Sequence, residues 1–269
     1  MITSHANKGV KEVIQLVQKA KARRESGLYI VEGVKMFLEA PEEAIEKVYV
    51  SEEMSGQMPK TCQEKIEQLC ANRSVSYETV SNDVFRKMSD TKTPQGILCV
   101  LRQQHYSIEE MIRKENPLLL LLEDIQDPGN LGTMFRAGEG AGITGVIMSE
   151  GTVDIYNPKT IRSTMGSIYR VPFTYVKSLE EAMSVLREKE VTLYAAHLDG
   201  AKNYDTCVYC RGTAFLIGNE ANGLRKETAA KSDTSVIIPM MGKVESLNAA
   251  VAASVLLFEA AKQRRAEEL

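Results

Sequence analysis

The sequence predicts an α/β protein in two parts: a smaller N-terminal α/β domain, then a larger domain built on a parallel sheet. Three observations carry this. Short apolar strands alternate with helical segments along most of the chain. One of those strands, Leu118–Leu122, is an unbroken run of leucine, as expected of a strand covered on both faces. The polar stretch Arg102–Pro117 has no strand signal and divides the pattern, which places a domain boundary between residues 105 and 106.

The elements follow in order. Between Lys8 and Arg24, Val10, Val13, Ile14, Val17 and Ala20 recur at three- and four-residue spacing, the pattern of one amphipathic helix. Its outer face is basic: Lys8, Lys11, Lys19, Lys21, Arg23 and Arg24 stand against Glu12 alone, a local charge of +5. Such a run is either a solvated face or a phosphate-contacting surface. Strands are then predicted at Leu28–Val31, Val48–Val50, Val75–Val80 and Ile97–Leu101, with helices at Val34–Ala40, Thr61–Ala71 and Asp83–Met88. After the boundary, strands fall at Leu118–Leu122, Gly145–Met148, Val171–Tyr175, Thr192–His197, Ala214–Ile217 and Ser235–Ile238. Helices fall at Gly129–Gly142, Pro158–Met165, Ser178–Glu188 and Leu247–Arg264.

Composition limits the function. The chain has 269 residues, 43% hydrophobic and 26% charged, the profile of a water-soluble globular protein. Lys plus Arg total 33 against 36 Asp plus Glu, so an overall cationic coat is excluded while a local basic patch is not. The longest apolar run is too short to span a bilayer, and the N-terminal residues lack a secretory h-region. Five cysteines, an odd number, fit a reduced compartment, and a cytoplasmic location is expected. Cys207 and Cys210 form a lone C-x-x-C with no second pair and no histidine at finger spacing, so no metal site is expected.

Three loops at the carboxyl ends of strands are candidate sites, because ligands of open α/β sheets bind at that edge. The first, Glu123–Gly142, turns through Asp127-Pro128-Gly129-Asn130 into a helix carrying Arg136, with Asn130 placed to cap it. Its glycines do not match the dinucleotide pattern G-x-G-x-x-G, which disfavours a nucleotide-dependent oxidoreductase. The second, Leu216–Glu227, follows Ile217 with Gly218, Asn219, Glu220 and Gly223; it reads either as a ligand loop or as a surface turn. The third, from Ile237, carries Ile238, Pro239, Met240, Gly242, Ser246, Leu247 and Asn248. Ser246 or Asn248 is placed to cap the last helix, but capping does not account for the whole set.

Together these segments resemble the three motifs of the SpoU (TrmH-like) RNA 2'-O-ribose methyltransferases of the SPOUT superfamily, over roughly residues 115 to 265. The stretches Arg23–Gly33 and Thr93–Val100 are similar to the L30e-like RNA-binding domain that many members carry. The resemblance implies a sheet with a C-terminal trefoil knot, a homodimer, and S-adenosylmethionine as cofactor. It places cofactor contacts at Leu198, Gly200, Ile217, Gly218, Glu220, Gly223, Ile238, Pro239, Met240, Ser246 and Leu247. It makes Arg136 the catalytic residue, with Asn130, Glu220, Ser246 and Asn248 as the other polar positions of the site. It implies methylation of structured RNA, ribosomal RNA before tRNA, with Lys19, Lys21, Arg23 and Arg24 as RNA contacts. A non-catalytic assembly factor of the same fold is the alternative, and the intact Arg136 argues against it.

Overall fold

The computed structural model describes residues 1–73, 75–197 and 202–267. The chain forms two compact units: Met1–Gln104 with Tyr156–Tyr169, and His105–Ile155 with Arg170–Leu269. A single cut at 105/106 leaves Tyr156–Tyr169 with the C-terminal part of the chain; its contacts put it in the first unit. The Tyr156 ring lies 4.6 Å from that of Tyr29, and the Tyr169 hydroxyl donates to the Met36 carbonyl at 2.9 Å.

In the first unit, the Asn7 side chain accepts from the amides of Gly9 and Val10 and starts α1 (Lys8–Gln18). The expected single basic helix is in fact two. Lys19 is extended, at φ −123 and ψ 116, and α2 (Ala20–Ser26) sets off afresh from it. Then come β1 (Leu28–Glu32), α3 (Val34–Glu39), β2 (Ile45–Ser51), α4 (Glu52–Gly56), α5 (Lys60–Arg73), β3 (Ser76–Val80), α6 (Asn82–Met88) and β4 (Ile97–Arg102). The sheet order is β1-β4-β2-β3; β4 runs antiparallel to both neighbours, and β2 and β3 are parallel. Val10, Val13 and Leu16 of α1 pack with Tyr49, Phe85, Met88 and Leu98 in the core.

The break at Lys19 corrects one expected RNA contact. Arg23 is 3% exposed, and its guanidinium donates to the carbonyls of Leu16 at 2.6 Å and Val17 at 3.2 Å. Those carbonyls end α1 and have no helical partner, so the cation serves as their cap. Lys19, Lys21 and Arg24 are exposed.

The second unit begins with α7 (Ile108–Met111), closed by a reciprocal cap between Ser107 and Glu110. It continues through β5 (Leu118–Leu122), α8 (Pro128–Ala141) and β6 (Gly145–Ser149). The next helix, α9 (Pro158–Thr164), lies in the stretch that joins the first unit. The chain returns through β7 (Phe173–Val176), α10 (Leu179–Glu188), β8 (Thr192–Ala196), β9 (Lys202–Asn203), β10 (Thr213–Ile217), α11 (Lys226–Ala230), β11 (Thr234–Ile237) and α12 (Ala249–Glu267).

These strands form a seven-stranded sheet in the order β7-β6-β5-β10-β8-β11-β9, with parallel pairing throughout. From β5 the chain moves outward one way through β6 and β7. It then crosses to β8 on the other side, and β10 slots between. That reversal falls between β5 and β10, and the carboxyl ends of strands at such a reversal are where open parallel sheets hold ligands. Every residue of both strands is buried, which accounts for their apolar composition.

Candidate active site

β5 runs into Glu123–Gln126 and then into α8. The helix cap is Asp127, whose carboxylate accepts from the Asn130 amide at 2.8 Å, with Pro128 in the first helical position. The cap expected at Asn130 is thus shifted three residues earlier. Proline at the first position has no amide to satisfy, so the cap falls just before it. The Asn130 side chain, released from capping, faces the other loops.

Glu220 sits in the loop after β10. Its carboxylate accepts from the amides of Gln126 and Asp127 and from Asn130 Nδ2, each at 3.0 Å. Burial would push this carboxyl up; the hydrogen bonds from Asn130, Gln126 and Asp127 outweigh it and hold the group below its ordinary value. Asn248 caps α12, accepting from Ala250 N at 2.9 Å and Val251 N at 3.2 Å. Its Nδ2 donates to Asn130 Oδ1 at 2.9 Å. Three segments distant in sequence therefore meet in one hydrogen-bonded chain: Asn248, Asn130, Glu220.

Other expected positions divide into two groups. Arg136 lies on α8, exposed, with no hydrogen bond or ion pair among the described residues. Ser246 is exposed two residues before Asn248. No backbone hydrogen bond among the described residues involves Gly218 or the run Ile238–Leu247, which includes Pro239, Met240 and Leu247. Ile217, by contrast, is buried in the sheet, and its carbonyl accepts from Glu123 N at 2.9 Å. Leu198 and Gly200 lie outside the described residues.

Gly218 has a different reason to be glycine from the one its motif suggests. A Cβ there would collide with the backbone of Gly223 and Leu224, so the position is fixed by the loop folding on itself. Gly223 closes that fold in the left-handed region, at φ 67, with its amide donating to the Asn219 carbonyl at 2.8 Å. Gly218→Val therefore disrupts the loop before it could report on a ligand.

Sequence reasoning passed over Glu123, Asp124, Arg225 and Thr228 as site residues. Glu123 is 3% exposed and accepts from Thr228 Oγ1 at 2.5 Å and from Arg225 N at 2.7 Å. Asp124 pairs with the Arg225 guanidinium. The signal for them is two adjacent carboxylates directly after a buried strand, where one must go inward and find partners. Cys207 is buried with its Sγ 3.8 Å from the Asn203 carbonyl, and Cys210 is half-buried; both are free thiols.

Comparison with known proteins identifies the family. Residues 117–258 match the SpoU rRNA Methylase family, and residues 7–99 match the MRM3-like substrate binding domain. The chain is 30% identical to the 23S rRNA (guanosine(2553)-2'-O)-methyltransferase RlmP of Bacillus subtilis, over 96% of this chain and 97% of that one. It is similar in structure to the SpoU methyltransferase AviRb from Streptomyces viridochromogenes, with 25% identity and a TM-score of 0.85 over 97% of this chain and 99% of that chain. It is also similar to an AdoMet-bound rRNA methyltransferase from Sinorhizobium meliloti, with 28% identity and a TM-score of 0.83 over 97% of each chain. The convergence of Asn130, Glu220 and Asn248 at the carboxyl edge is thus found in a chain that belongs to the SpoU rRNA methylase family.

Proposed function

We propose that this protein methylates a ribose 2'-hydroxyl in large-subunit ribosomal RNA. The observation that carries the reading is the meeting of Asn130, Glu220 and Asn248, in a domain that also holds, among the described residues, an unpartnered guanidinium and a run of unpaired backbone. S-adenosylmethionine supplies the methyl group, carried on a positively charged sulfur. The residues present fit it: Gly218 and Ile238–Leu247 offer backbone groups without partners among the described residues, the groups an adenosine edge requires. Leu198, Gly200, Gly223 and Ser246 complete the proposed contact set.

The chain's own residues divide the remaining work. Glu220 orients Asn130 and the start of α8; its oxygens already accept three donors and it takes no proton from substrate. Arg136 is too basic to accept a proton, so the hydroxyl proton passes to water; Arg136 holds an RNA phosphate and places positive charge beside the oxygen as negative charge develops there. Lys19, Lys21 and Arg24 contact RNA phosphates along the first unit, the part that matches a substrate-binding domain. Relatives named as 23S rRNA enzymes support ribosomal RNA over tRNA. The apolar residues exposed on α12 and in the loop before it, Val251, Phe258, Met241 and Val244, support a homodimer. The trefoil knot, a division of labour at 105/106 and action in the cytoplasm belong to the same reading.

The test is methylation of 23S rRNA and of tRNA with isotopically labelled cofactor, followed by mapping of the modified ribose. One modified 23S ribose is expected, and S-adenosylhomocysteine should raise the unfolding temperature where NAD does not. Labelling of tRNA alone overturns the ribosomal reading; no shift with S-adenosylhomocysteine overturns the cofactor.

A further inference from the structure

We infer that Asp124 and Arg225, to which the motif resemblance assigns no role, form a clamp that positions Glu220 and, through it, Asn130. The inference rests on the methyltransferase reading above and extends it to two further positioning residues.

Asp124 has a left-handed backbone, at φ 53. Residues with a Cβ seldom adopt that conformation and hold it only where their surroundings over-determine it. Here they do. The Asp124 amide donates to Ser149 Oγ at 2.8 Å, and that hydroxyl donates back to Asp124 Oδ1 at 2.7 Å. The Asp124 carbonyl accepts from Asn219 Nδ2 at 2.8 Å and Gln126 Nε2 at 3.1 Å. Its second carboxylate oxygen receives the Arg225 guanidinium. A side chain at Gly151 would collide with the same carboxylate, so the neighbouring loop is also shaped around it.

The consequence is a loop held at both ends. Asn219 and Arg225 bracket the segment carrying Glu220, and both are fastened to Glu123–Asp124. Between them Glu220 reaches Gln126, Asp127 and Asn130. The Arg225 side chain is 63% exposed and that of Asp124 28%. An ion pair so open to water adds little to folding stability. Its effect falls on geometry, where a small displacement of an orienting group slows a reaction steeply. The competing role for Arg225 is a direct contact with an RNA phosphate. The two roles part company at Asp124, because removing its charge leaves the Arg225 guanidinium only the 3.9 Å pair with Glu123, which makes it more available to RNA but opens the clamp.

The experiment uses the full chain with Arg225→Gln, Asp124→Asn and the double variant. Asparagine tolerates the left-handed backbone, so the fold at 124 is retained. At saturating RNA, each single variant should lower the single-turnover rate about tenfold, and the double variant should be no slower than either. RNA affinity, its salt dependence and the unfolding temperature should stay at the wild-type level, and Arg225→Lys should recover most of the rate. Hydrogen exchange at the Gln126 and Asp127 amides, which Glu220 holds, should speed up in both single variants whether or not RNA is present. Unchanged exchange there overturns the clamp, and so does weaker RNA binding by Arg225→Gln with tighter binding by Asp124→Asn. A wild-type protein that methylates no RNA overturns the methyltransferase reading, while the exchange measurement still decides on the clamp.

Discussion

Arg23 and Arg136 stand in segments that look equally functional as sequence, one in a basic run and one in a motif, and the fold treats them in opposite ways. Arg23 is buried, with its guanidinium on the carbonyls that end α1. Arg136 is exposed on α8 with no partner among the described residues. A cation whose donors are satisfied internally holds the fold. A cation left unsatisfied on the helix that opens at the carboxyl edge of a parallel sheet carries no load in the fold, and the proposed function gives it to substrate.

The largest expected effect tests the second half of that contrast. Arg136→Ala should cut single-turnover methylation by about 100- to 1000-fold, the range for removing one preorganised charge from a transition state. Unfolding temperature and S-adenosylhomocysteine affinity should not move. Arg136→Lys refines the result: a two-pronged phosphate contact fails with lysine almost as badly as with alanine, whereas a need for charge alone is met by lysine. Near-normal rate in the alanine variant would break the contrast.

Arg23→Ala should do the reverse. Losing charged hydrogen bonds to buried carbonyls should destabilise the first unit by about 1.5–3 kcal/mol, with the rate per folded molecule unchanged. A fall in RNA affinity with no loss of stability would return Arg23 to the RNA surface. Changing Lys19, Lys21 and Arg24 together to alanine should act only on binding. Each lost phosphate contact should reduce the slope of log affinity against log salt by about one unit, which a filter-binding titration reads directly.

The smallest effect concerns pH. Glu220 is held below its ordinary value, so its contribution to stability is present above the usual carboxylate range and is lost as pH falls through the folded-state value. Glu220→Gln should therefore be less stable than wild type near neutrality, with the gap closing on acidification. A gap independent of pH would mean that the hydrogen bonds of Glu220 do not depend on its charge.

The sheet and its functional edge are legible in the amino-acid sequence. An all-leucine strand, the alternation of strands and helices and the three loops place them, because burial on both faces and glycine-bearing turns leave plain marks. What escapes such reading depends on tertiary partners. The break at Lys19 has no proline or glycine to announce it; Arg23 folding back onto α1 makes it. The cap at Asp127 follows from Pro128 by a local rule, which the equally good capping residue Asn130 obscures. Gly218 is legible as a close approach but not as an approach of the loop to itself. Asp124 and Arg225 are 101 positions apart, and nothing in either neighbourhood names the other.

The chain from α12 through Asn248 and Asn130 to Glu220 has a direction. Amides at one end can only donate, and an ionised carboxylate at the other can only accept. Each asparagine between them is thereby fixed with its oxygen toward α12 and its nitrogen toward Glu220. An aspartate at position 130 has the right shape and reads backwards: it offers oxygen to oxygen, and the pair must then capture a proton to close. The array thus acts as a one-way connector between the start of the last helix and the loop that carries Glu220, and isosteric substitution cannot reverse it.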